Sequence, residues 1–243
     1  MGMDFAPDAK RHSVADGGPG YRSNGGAARR FAAAGAVNHS SRRDRQRGNA
    51  MVEFALCLVF LAPIVLGTFN LGMNLARNLQ VTQLARNAGH MYVRWVDFSI
   101  PESQQLIVRL ADGLNMTRTG GDGTVILSQV LVPSTADCAG AGLNVGGCTN
   151  LNIPVIVHRI QFGNSSLKSS VFGSPHSSLI RSDGSIAVAD YLTDSRVRAT
   201  GWSSVMTLGS GEIAYVSEVY VRSPAYNIGD QGGVQGVYAR SIF

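Results

Sequence analysis

From Phe54 through Ala76 the chain runs for 23 residues without a charged side chain. As an α-helix rising about 1.5 Å per residue, such a run is about 35 Å long and crosses the hydrocarbon core of a bilayer. One carboxylate, Glu53, stands directly before it. At the centre of a membrane a carboxylate costs about 2.5–3.5 kcal/mol on insertion scales. Glu53 therefore either faces a partner or a water-filled site, or it is solvated at headgroup depth, six residues after Arg47. Residue chemistry alone leaves both open.

A secretory signal has a shorter apolar region followed by a small-residue cleavage site. Here the run passes without a break into an amphipathic pattern, which predicts a retained anchor. Arg42, Arg43, Arg45 and Arg47 crowd its N-terminal side, whereas Arg77, Arg86 and Arg94 follow at wide intervals. The positive-inside rule then predicts a cytoplasmic N-terminus and an exported remainder, periplasmic in a bacterium.

The formal net charge of +5 lies wholly in residues 1–48, which hold nine Lys/Arg against four Asp, while the rest is balanced at twelve against twelve. A basic chain invites a nucleic-acid reading, but the part able to fold is neutral, and no nucleic-acid partner is expected. Residues 1–48 are rich in Gly, Ala, Ser and Arg, cannot bury enough surface to offset their ordering entropy, and are expected to be a disordered basic leader.

Beyond the run, Leu75, Leu79, Leu84, Ala88, Met91, Tyr92 and Trp95 keep helical spacing, predicting one long helix from about 50 to 97 whose outer half packs the exported core. Ser99 with Glu102 three residues on and Pro101 between them predicts a capped second helix over 101–115. Asn115, Gly120 and Gly121 then break the helical period. "TVILSQVLVP", "NIPVIVHRIQF" and "EIAYVSEVYVRS" read as strands of an antiparallel sheet. Residues 163–211 show no assignable period, and no internal repeat occurs.

Cys138 and Cys148 flank a Gly-rich stretch and are expected to form a disulfide in an oxidising compartment, the rival being two free thiols. Cys57 reads as a small apolar residue of the run. A pair spaced by nine residues lacks the short grip of a zinc site, so neither metal nor cofactor is expected. The five histidines are scattered and none of the common hydrolase, metalloprotease or P-loop motifs occurs, so no enzyme is expected. His158, in "VIVHRIQF", reads as an ordinary strand residue.

The stretch before the run is "RRDRQRGNAMVEF": a basic segment, Gly48, Glu53 as the fifth residue after that glycine, then Phe54 and the apolar helix. It resembles the processing site of type IV prepilins. More narrowly, "RGNAMVEFAL", an apolar run containing Pro63, and "TQLARNAGHMYVRW" resemble the TadE-like minor pseudopilins of the tight-adherence (Flp, type IVb) pilus. The resemblance implies cleavage by prepilin peptidase between Gly48 and Asn49. It implies that Glu53, with Phe54 behind it, then pairs with the new α-amino group of a neighbouring subunit and sets axial register. A glycine lets an extended backbone approach a peptidase closely. The implied partners are the peptidase, other pilins and pseudopilins, the inner-membrane assembly platform and the lipid bilayer. A mature chain of 195 residues is larger than a major pilin of this class, which points to a minor subunit.

The expectation is an α+β protein: leader 1–48, membrane helix 49–76, and a periplasmic domain 77–243 with a second helix and a C-terminal antiparallel sheet. The alternative is an unprocessed single-pass anchor carrying a periplasmic binding domain.

Overall fold

In a computed structural model the chain is described over residues 40–222 and 236–243, with side chains from Asn49 onward. It divides into a unit ending at Ala55 and a unit from Leu56 to Phe243. Helix α1, Ser40–Val93, starts in the first and ends in the second. Residues 40–48, expected to belong to a disordered leader, form its first turns. Arg and Gln, which dominate that stretch, are good helix formers. Residues 1–39 of that expected leader lie outside the described residues.

The helix stops at Val93, short of the expected 97. The N–H of Val96 reaches the carbonyl of Met91 (3.1 Å) and that of Trp95 reaches Tyr92 (3.1 Å), with Trp95 left-handed at φ 64°. This is a Schellman ending, in which tryptophan holds the position glycine usually takes. The expected stripe also needs correction: Leu75, Leu79 and Trp95 are exposed, while Val81, Leu84, Ala85, Ala88 and Tyr92 form the buried face. Burial begins at Val81, the first α1 residue of the core shared with α2 and the sheet.

Helix α2, Pro101–Leu110, is shorter than expected, and Ser99 does not cap it. With Pro101 in the first turn the cap position falls on Ile100, which offers no side-chain acceptor, and the N–H of Ser99 donates instead to Asp97 (2.8 Å). Gly113, at φ 82°, turns the chain before the expected end.

A two-residue ladder, β1 (Met116–Thr117) with β2 (Gly120–Gly121), precedes the main sheet. That sheet comprises β3 (Gly123–Leu131), β4 (Val155–Gly163), β5 (Ile213–Arg222) and β6 (Gly236–Ile242), all antiparallel, in the order β4-β3-β5-β6. The three expected strands are therefore present, and β6 is an addition.

Both faces of the sheet are covered, which is why its central strands read as nearly continuous apolar runs. On one face Val125, Leu127, Ile160, Phe162 and Val219 pack against α1 and α2. On the other, Val130, Ile156 and Val216 pack against Phe172, Val197 and Trp202 of the 163–211 segment. That segment is an irregular layer of turns with one short helix, α4 (Val188–Thr193). Asn150, fully buried, organises one end of it by donating to the carbonyls of Tyr191 (3.0 Å) and Asp194 (2.7 Å) and accepting from Nε of Arg198 (2.8 Å).

Candidate functional site

In α1, Asn49, Met51, Val52, Glu53 and Phe54 are all exposed, Phe54 at 67%. Among the described residues Glu53 makes no hydrogen bond or ion pair. From Leu56 onward Leu58, Phe60, Leu61, Ile64, Phe69 and Leu75 are exposed as well. This length of helix is apolar around its whole circumference, the signature of a segment solvated by something other than water. Its mean hydropathy reaches 2.3, and none of its most apolar window is buried within the chain. Pro63 lies inside it without ending it, as membrane helices permit. Cys57 is exposed on the same surface.

The expected site residues thus fall into two groups. Gly48, Asn49, Glu53 and Phe54 lie within two turns of one helix; nothing in a single chain brings another charged group to Glu53 among the described residues. Cys138 and Cys148 lie far along the chain and form a disulfide with Cα atoms 6.0 Å apart. Cys138 sits in α3 (Thr135–Gly140), whose start carries a capping box: Ser134 Oγ accepts from the N–H of Asp137 (3.3 Å), and Asp137 accepts from the N–H of Ser134 (2.7 Å). Both half-cystines pack on Leu192 of α4. The bridge closes a loop within the β3–β4 connection, and its packing on Leu192 seats that loop against the irregular layer.

The family model described as TadE-like protein matches residues 48–90. Residues 48–90 are thus similar to that family's model. The match begins at Gly48 and ends two residues before Tyr92 in the docked part of α1, so the TadE-like segment covers the apolar helix and most of the face that meets the sheet. With one candidate membrane helix, the match is consistent with a single-pass membrane protein. No curated protein and no solved structure matches the chain.

Two polar groupings under the sheet carried no motif in the sequence. Glu218, 1% exposed at the middle of β5, accepts from Ser170 Oγ, the N–H of Val171 (3.0 Å) and the hydroxyl of Tyr238 (2.7 Å). Arg159 on β4 is buried on the same face and donates from Nη1 to the carbonyl of Gly173 (2.9 Å). Burial pushes its guanidinium down to about 10, opposed by the charge of Glu218. On the α1 face His158, between Tyr92 and the turn at Asp183, is held below the ordinary 6.5 by burial, against the pull of Asp183 and Asp97. The only sequence signal for these residues was a charge inside an otherwise apolar strand.

Proposed function

We propose that the chain is a minor pseudopilin, cut by prepilin peptidase after Gly48 and used in assembling a tight-adherence type IVb pilus or a related secretion filament. The observation that carries this reading is the TadE-like match beginning at Gly48 and running into an exposed, wholly apolar helix. Cleavage gives Asn49 an α-amino group, positive at neutral pH. When helices leave the bilayer and pack in a filament, an unpaired Glu53 is costly, and the amino group of a neighbouring Asn49 neutralises it. In this reading the N-terminus lies in the cytoplasm, the domain from residue 77 lies in the periplasm or in the filament, and the working partners are the peptidase, other pilins and the assembly platform. The chain acts by packing and has no catalytic role.

A second reading, an unprocessed single-pass anchor with a periplasmic binding domain, is favoured by one observation: α1 runs unbroken across Gly48 and Asn49. A peptidase needs that stretch extended, so processing requires the first turns of α1 to unwind. Mass spectrometry of the N-terminus of membrane-extracted protein, with and without the peptidase, separates the two. A start at Asn49 is expected. An intact leader in cells with active peptidase overturns the pseudopilin reading and leaves the anchor.

A further inference from the structure

The uncharged run holds two side-chain amides, Asn70 and Asn74. Its one hydroxyl, on Thr68, is satisfied within the helix by the carbonyl of Val65 (2.9 Å). The amides are not. Among the described residues neither makes a side-chain hydrogen bond, and Asn74 takes part only through its backbone carbonyl, which accepts from Asn78 Nδ2 (3.1 Å). Asn70 lies six residues, or about 9 Å, inside the end of the run at Ala76. Helical side chains lean toward the N-terminus, so this amide points deeper into the hydrocarbon and away from headgroup water. Each amide carries two donors and an acceptor, which are costly to leave unmatched there.

Gly67, Asn70 and Asn74 are spaced three and four residues apart and share one face of α1. It is the face that docks. Val81, Ala85, Ala88 and Tyr92 follow Asn74 at intervals of seven, four, three and four residues, and are buried in one core with Val125, Leu127 and Val219 of the sheet. That core begins about 10 Å beyond Asn74. The seam therefore runs on, in phase, from the helix–sheet core into the length of α1 whose most apolar window is not buried within the chain. A side chain on Gly67 would meet nothing within 4 Å, so another backbone can approach closely at that point.

The overhanging domain chooses the occupant. Packed helices lie about 8–10 Å apart. A second copy standing parallel, with its Asn70 against this one, would carry its own α1 unbroken to Val93 and into the volume that the core fills from Val81 onward. A helix that ends at the membrane surface meets no such obstacle. We propose that the seam of Gly67, Asn70 and Asn74 seats the transmembrane helix of another protein, one that offers a hydrogen-bonding side chain at the depth of Asn70 and ends beneath the sheet. The amides then have partners, and Gly67 lets the two backbones close up. The proposal rests on α1 spanning a bilayer, and not on processing or filament assembly.

The test uses the full chain, carrying a fluorescent donor on its α-amino group and reconstituted in phosphatidylcholine bilayers. The probe is a synthetic acceptor-labelled helix of about 23 leucines flanked by lysines, with one asparagine about 9 Å from one end of its apolar stretch; an all-leucine helix is the control. Energy transfer should reach half-saturation with the asparagine helix at about one-fifth or less of the peptide-to-lipid ratio that the control needs. Asn70→Leu with Asn74→Leu should abolish that preference, and leucine suits a membrane helix, so the double variant still inserts. Thr68→Val, two residues from Asn70 and so on the opposite face, should keep it. Equal affinity for the two helices, or an unchanged preference in the double variant, overturns the proposal. So does Asn70-dependent transfer between differently labelled copies of the chain, which would make the second copy the occupant. Protease protection reads insertion separately. An inserted chain without the preference loses the seam but keeps its anchor; a chain that does not insert removes the membrane reading and the proposal with it.

Discussion

The hydroxyl of Tyr92, on the last turn of α1, shares a hydrogen bond of 2.6 Å with Nδ1 of His158 on β4. The two rings also lie 5.7 Å apart, and Tyr215 closes the group edge-on to Tyr92 at 5.6 Å. This is a polar joint in an otherwise apolar helix–sheet contact, placed where α1 ends.

Because burial holds His158 below 6.5, the fold favours the neutral ring. The unfolded chain therefore binds more protons, and the stability from this site is present above 6.5 and lost as pH falls through the lower folded value. Melting temperature should decline from about pH 7 toward 5 in the wild type and more shallowly in His158→Gln. Tyr92→Phe should cost about 1 kcal/mol at pH 7.5. Parallel pH profiles for wild type and His158→Gln would refute this account.

Glu218→Ala should be among the most damaging single changes outside α1. Three donors lose their acceptor and the buried Arg159 loses its nearest countercharge, together costing about 3 kcal/mol or more. Urea midpoints should show the double variant Glu218→Ala, Arg159→Met less destabilised than the two singles summed, because the residues share one buried environment. Simple additivity would argue that they do not communicate.

Reducing the Cys138–Cys148 bridge, which spans a separation of 10 residues, should cost about 2–3 kcal/mol. Melting with and without dithiothreitol checks it, with Cys138→Ser, Cys148→Ser as the control insensitive to reductant. The loss should appear first in the packing around Leu192.

Gly184→Ala should destabilise by about 1–3 kcal/mol. Its φ is +86°, and a Cβ there would stand 2.6 Å from Cγ1 of Ile160 and 2.9 Å from the carbonyl of Arg159. Gly72→Ala, with open space around it, should leave thermal unfolding of the domain unchanged. Equal effects would show that the turn at 184 yields without cost.

Glu53→Ala should leave processing at Gly48 largely intact while lowering incorporation into filaments. Counting the subunit in sheared filaments from cells expressing the variant tests this. Wild-type incorporation would end the pairing role assigned to Glu53.

What the sequence made legible follows from period and length. The uncharged run, the helical continuation into Ala88 and Tyr92, and three β-branched strands each rest on a local pattern that survives burial. The misses have physical causes as well. Ser99 failed as a cap because Pro101 set the first turn and Asp97 captured the serine N–H. The 163–211 layer has no period because turns and buried side-chain hydrogen bonds, such as those of Asn150, hold it in place of a backbone ladder. Arg159 and Glu218 were invisible as a group because β3 lies between their strands and only the sheet register brings them to one face. Gly48, Asn49, Glu53 and Phe54 were legible as a pattern; in the proposed reading their chemistry belongs to an encounter between chains.

Gly89 of α1 lies against the ring of Phe243, the residue after β6, so closely that a Cβ on Gly89 would fall 2.2 Å from a ring carbon. The helix is made before the strand. Until β6 has paired with β5, α1 therefore stays uncovered at Gly89. Contacts so distant in sequence form slowly, and over that interval the bare helix face is open to any neighbouring apolar surface. The joint thus also sets a time window: a chain whose β6 has not yet paired presents a sticky helix, and one whose β6 has paired does not.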